Sequence, residues 1–161
     1  MKLYVTRHAA AEDASAAPND FDRAVTLKGR KRAVEVARVL LAEKETPDII
    51  VASPLVRAVQ TAEIIASVTN PPEGVAVRQE LAPGNTAFPL LQELGRAGTR
   101  GVMLVGHEPG LSELMIALLG DGAWPKGFTK SMVACVKIDE AGVPKLRWVL
   151  DPKSLRFTSH R

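Results

Sequence analysis

Two periodicities of apolar residues alternate along this chain. Leu3-Tyr4-Val5-Thr6, Ile49-Ile50-Val51-Ala52, Val75-Ala76-Val77 and Val102-Met103-Leu104-Val105 are short apolar runs, each closed by a polar residue or Gly. Such runs predict strands, the first of them buried. Between them the spacing becomes helical. After Thr26, a good N-cap, Ala33, Val36, Ala37, Leu40 and Leu41 form one stripe. After Ser53-Pro54, Ala58, Ala62 and Ile65 share a face until Asn70-Pro71-Pro72 breaks it. Ser53 is expected to cap that helix, with Pro54 at its first position. Further helices are expected from about Ala87 to Arg96 and from Leu111 to Leu119, the second closed by Gly120-Asp121-Gly122. Met132 to Ile138 and Leu146 to Leu150 read as strands joined by the turn Glu140-Ala141-Gly142, a hairpin-like edge. Residues Ala9 to Val25 show no period and read as a long loop.

Strands alternating with helices imply an α/β fold: a three-layer α/β/α arrangement, its sheet mostly parallel with an antiparallel edge. There is no repeat and no linker, so residues 1–161 are expected to form a single domain.

Composition narrows the function classes. Aromatics are 4% of the 161 residues, so Val, Leu, Ile and Ala must build the core. The net charge is +3, with basic and acidic residues interspersed. No basic block interleaved with aromatics appears, which argues against nucleic-acid binding, while the positive excess favours an anionic ligand. The single cysteine, Cys135, lies in an apolar run and reads as a buried thiol in a reducing compartment. No apolar run is long enough to span a bilayer and no signal peptide is recognisable, so a cytoplasmic protein without membrane contact is expected.

The candidate chemistry lies where the predicted strands end. Ligands of open α/β sheets bind outside the carboxyl ends of the strands. Arg7-His8 follows the first strand, Ser53-Pro54 and then Arg57 follow the second, and Gly106-His107-Glu108 follows the fourth. Two of the three histidines and two arginines therefore meet at one sheet edge. His160, near the other end of the sequence, reads as a solvated bystander. Arg57 falls in the first turn of a helix, where the dipole disfavours a cation unless an anion binds there. Two guanidinium groups suit a phosphoryl group, one histidine can accept it, and the other can stabilise the transferring charge. No carboxylate cluster suited to Mg²⁺ is present, so neither metal nor cofactor is expected.

These segments carry a resemblance. Thr6-Arg7-His8-Ala9, Ser53-Pro54-Leu55-Val56-Arg57-Ala58-Val59-Gln60-Thr61-Ala62 and Val105-Gly106-His107-Glu108-Pro109-Gly110 resemble the motifs of the histidine phosphatase superfamily, of phosphoglycerate mutase-like fold. Ala9 stands where that superfamily usually has Gly. The short length, with Arg23-Ala24-Val25-Thr26-Leu27-Lys28-Gly29, Glu80-Leu81-Ala82-Pro83 and Phe128-Thr129-Lys130-Ser131, narrows the resemblance to phosphohistidine phosphatases of the SixA type. It runs almost end to end.

The resemblance implies that His8 accepts the phosphoryl group, that Arg7, Arg57 and His107 form the catalytic and substrate-binding pocket, and that Arg23 reaches the pocket rim. Larger members place an acid near the end of the third strand to protonate the leaving oxygen; here Pro83 stands about there, with Glu80 nearby. A missing acid suits phosphohistidine, whose leaving imidazole nitrogen can already carry a proton. Small-molecule members carry insertions that form a lid; this chain has no room for a lid subdomain, and an open pocket suits a side chain on another protein. The expected partners are phosphate and a histidine-phosphorylated signalling or carrier protein, met by a monomer. The competing readings are a general phosphomonoesterase using Glu80, a non-catalytic phosphoprotein-binding module, and an unrelated α/β domain with no phosphate affinity.

Overall fold

The computed structural model describes residues 1–124 and 127–159. Seven strands form one sheet: β1 (Lys2–Arg7), β2 (Ile49–Ala52), β3 (Val75–Val77), β4 (Gly101–Gly106), β5 (Val133–Ile138), β6 (Pro144–Asp151) and β7 (Arg156–Ser159), in the order β3-β2-β4-β1-β5-β6-β7. The pairs β3–β2, β2–β4 and β4–β1 are parallel. The pairs β1–β5, β5–β6 and β6–β7 are antiparallel. The four parallel strands are those expected. The antiparallel edge carries one strand more than the hairpin, because residues 156–159 add β7 outside β6. No lid subdomain is evident among the described residues.

Among the described residues four α-helices complete the layers: α1 (Leu27–Ala42), α2 (Val56–Thr69), α3 (Phe88–Arg96) and α4 (Gly110–Leu119). Successive residues of a strand point to opposite faces, and β1 and β4 are apolar on both. Tyr4, Ile50, Met103 and Val105 face Val36, Ala37 and Leu40 of α1 and Ala58, Ala62 and Ile65 of α2. Leu3, Val5, Val51 and Leu104 face Leu90 and Leu91 of α3 and Leu111, Leu114 and Met115 of α4. Two cores thus sandwich the sheet.

Two local expectations fail. Leu41 is not part of the α1 stripe; it is 48% exposed, because α1 packs through Ala33, Val36, Ala37 and Leu40. Ser53 does not cap α2. That helix starts at Val56 behind Leu55, whose side chain has no cap to offer. Thr26 does cap α1, its hydroxyl accepting from Gly29 N. Asn70 ends α2 in the left-handed region at φ 48°, which asparagine tolerates.

The sheet order makes the site. β4 lies between β2 and β1, so residues 53, 107 and 8 leave three adjacent strands on the same edge. Backbone bonds fasten these exits together. His8 N donates to Gly106 O at 3.1 Å, and Ser53 N donates to Val105 O at 2.9 Å.

Candidate active site

His8 is 5% exposed, with its ring centroid 5.1 Å from that of His107. Its Nδ1 is 2.8 Å from Ala9 O. A carbonyl can only accept, so Nδ1 carries the proton and Nε2 keeps its lone pair. Arg57 Nε donates to that Nε2 at 3.3 Å. Burial pulls the His8 pKa down to about 3, helped by the positive fields of Arg57 and Arg7 and by His107, and opposed by the Ala9 bond. The imidazole is neutral at physiological pH.

The segment after His8 is pinned from two sides. Ala9 N donates to Thr61 Oγ1, which itself donates to Arg57 O, so Thr61 ties the end of β1 to α2. Gln60 Oε1 accepts from Val25 N and fastens the long loop to the same helix. Those contacts give Gln60 and Thr61 structural work within the motif that runs from Ser53 to Ala62. Ala9 is fully buried with Val25 and Ala33, so its methyl packs where the superfamily usually has Gly. From the other side α1 approaches so closely that a Cβ on Gly29 would lie 2.3 Å from Ala10 O.

His107 Nε2 is 2.7 Å from Ser53 Oγ. Ser53 Oγ also accepts from Leu55 N, and a hydroxyl can both donate and accept. His107 Nδ1 is a buried atom with no partner. Burial, then the Arg57 charge, lowers the His107 pKa to about 4; Asp20 opposes the shift and Arg7 adds to it. Arg7 spends Nη1 on Phe128 O at 2.9 Å, and its buried Nε has no partner. Two buried nitrogens without partners, Arg7 Nε and His107 Nδ1, thus lie at adjacent strand ends beside two guanidinium groups, an arrangement suited to an anion's oxygens.

Arg57 and Arg23 meet through a residue the sequence reading did not single out. Arg57 Nη2 is 3.2 Å from Asp20 Oδ2, and Arg23 Nη1 is 2.8 Å from Asp20 Oδ1. The Arg23 bond, then that of Arg57, holds the Asp20 carboxyl below its usual range. Arg23 also donates through Nε to Glu12 O, so the loop holds it at its place. Ser53 and Asp20 are the site residues sequence reasoning missed. His160 lies outside the described residues.

Glu80 sits in a short 3-10 turn after β3 (residues 79–81). Arg78 grips its carboxylate with Nη2 and Nε and also holds Glu93. The Arg78 bond keeps Glu80 well below the usual carboxylate range, ionised and without a proton to give. It lines a cavity of about 280 Å³ beside His107, together with Pro83, Asn85, Glu108 and Glu113. Among the described residues, no group of three or more His, Cys, Asp or Glu could hold a metal ion. No helix among them is long and apolar enough to cross a membrane.

Known proteins resemble this chain in sequence and in fold. A sequence model of the histidine phosphatase superfamily (branch 1) matches residues 3–82. The chain is 32% identical to phosphohistidine phosphatase SixA of Escherichia coli (strain K12) over 98% of each chain. It superposes on the protein histidine phosphatase SixA complexed with tungstate with a TM-score of 0.86, at 30% identity, covering 97% of this chain and 100% of that one. A crystal structure assigned as phosphohistidine phosphatase SixA from Agrobacterium tumefaciens matches at a TM-score of 0.80 and 27% identity, over 94% and 97% of the two chains.

Proposed function

The chain belongs to the histidine phosphatase superfamily, and on that premise we propose that it removes the phosphoryl group from phosphohistidine on a protein, without a metal, through phospho-His8. One observation carries this reading: a buried imidazole held neutral, its Nδ1 proton committed to Ala9 O and its Nε2 lone pair turned toward a guanidinium. In attack that lone pair leaves the Arg57 Nε–H for phosphorus, while the guanidinium draws the anionic oxygens toward it.

The steps balance as follows. His8 Nε2 attacks phosphorus as the P–N bond of the substrate breaks, and the electron pair leaves with the substrate imidazole. Arg7, Arg57 and His107 hold the three oxygens in line. Water then attacks phospho-His8. Its P–N bond breaks, the pair returns to Nε2, and phosphate leaves while the surplus proton passes to solvent.

The leaving group selects the substrate. An alkoxide needs a proton as it departs, and Glu80 is ionised and bound to Arg78. An imidazole leaving group carries its own proton on the other ring nitrogen. The open strand-end pocket admits a side chain presented by a signalling or carrier protein. Every group invoked comes from one chain, so a monomer suffices. The lone buried thiol of Cys135 fits a cytoplasmic setting.

The test is turnover of a phosphohistidine-bearing carrier protein and of a simple alkyl phosphate ester by wild type and His8→Ala. Wild type should clear phosphohistidine faster than the ester, and His8→Ala should lose roughly four orders of magnitude in kcat. Preference for the ester, or full activity without His8, would sink the proposal.

A further inference from the structure

The long loop docks on the start of α2 through its residues 20 and 21. Val56 N donates to Phe21 O at 3.1 Å. Arg57 Nη1 donates to Asp20 O at 2.8 Å, and Arg57 Nη2 to Asp20 Oδ2 at 3.2 Å. Both terminal nitrogens of Arg57 are therefore gripped by one residue. The far oxygen of that carboxylate is held by Arg23. Arg57 is 6% exposed and stands in the first turn of a helix, where the dipole opposes its charge. Asp20 is the one carboxylate paired with it among the described residues.

A buried guanidinium without this partner would be free to turn about its long stem. With it, the plane is fixed: Nε points at His8 Nε2, and each terminal nitrogen keeps one N–H uncommitted. We propose that Asp20 is a positioning residue, whose carboxylate and carbonyl orient Arg57 for the phosphoryl group, with Arg23 acting through Asp20. This rests on the pocket described under the proposed function.

Electrostatics makes the test sharp, because position and charge predict opposite signs. The Asp20 side chain is 60% exposed and negative, close to an anion site. If its charge were all that mattered, removing it would tighten phosphate binding. If it orients Arg57, removing it weakens phosphate binding and slows transfer. Inorganic phosphate is titrated calorimetrically into wild type, Asp20→Ala, Asp20→Asn and Asp22→Ala, and turnover of a phosphohistidine carrier protein is followed with each.

Asp20→Ala should bind phosphate several-fold more weakly and lose about ten- to hundred-fold in kcat. Asp20→Asn should recover part of both, since its amide oxygen can still accept from one arginine. Asp22→Ala, with the same charge change on a neighbouring loop residue that touches neither arginine, should match wild type. Unchanged or tighter phosphate binding by Asp20→Ala overturns the proposal, whatever turnover does. The binding arm also separates the two claims: weakened phosphate binding in Asp20→Ala alongside a wild type inert to phosphohistidine keeps Asp20 as a positioning residue and removes the phosphatase.

Discussion

His8 and His107 are neutral for the same first reason, the loss of hydration on burial, and neighbouring guanidinium charges push the same way. With folded values of about 3 and about 4, neither ring should titrate between about pH 5 and pH 8. Proton NMR of the imidazoles tests this; a midpoint near the ordinary histidine value for either ring would contradict it. The sign for stability follows. In the unfolded chain both rings take up protons below about pH 6.5, while the folded rings do not. Both histidines therefore contribute stability above that pH, which is lost as pH falls toward their folded values. A lowered melting temperature from about pH 6.5 downward, lessened in His107→Asn, is expected. Arg7, His8, Arg57 and His107 were legible beforehand because each directly follows or lies close behind a recognisable strand. Ser53 was not, since Ser-Pro before an apolar stripe reads equally well as a helix cap; only the neighbouring strand shows its hydroxyl turned to His107. Asp20 sits in an aperiodic loop, where spacing says nothing about which arginine a carboxylate will meet.

Helices α1 and α2 act at the next scale as jaws on the segment that follows His8. α2 holds Ala9 through Thr61, and α1 presses Gly29 against Ala10. Gly29→Ala places a methyl 2.3 Å from a backbone oxygen, which no side-chain rotation can relieve. The helix start or Ala10 must move, and His8 lies two residues away. A loss of about 1–3 kcal/mol in denaturant unfolding is expected, with a drop in kcat, whereas Gly95→Ala, in open space on α3, should cost nothing. An unchanged midpoint for Gly29→Ala would show that the jaws are looser than described. Elements with a strong buried period were readable from the chain. β7 was not, because residues 156–159 are short and largely exposed, and such an edge strand is defined by the backbone of β6 rather than by its own pattern.

The whole molecule is two apolar cores divided by a sheet, and Cys135 lies in the one beneath α1 and α2, 1% exposed. Burial raises its thiol to about 12, so it stays protonated and inert in the native state. A thiol reagent should label it only as fast as the protein opens globally, and the rate should rise with denaturant in step with unfolding; fast labelling in buffer would refute this. The placement of β1 has a further consequence, for synthesis on the ribosome. This strand, which delivers Arg7 and His8, is central in space but early in sequence. Its partners on either side are residues 101–106 and 133–137. At cellular elongation rates the second partner is made on the order of ten seconds after the first strand. Until β4 emerges this apolar strand has two open edges, and until β5 follows it has one, which makes it a natural client for chaperones that shield nascent chains. Arg7 and His8 are thus translated early and fixed late, and phosphate affinity should appear in a series of stalled nascent chains only once residues up to β5 have left the tunnel.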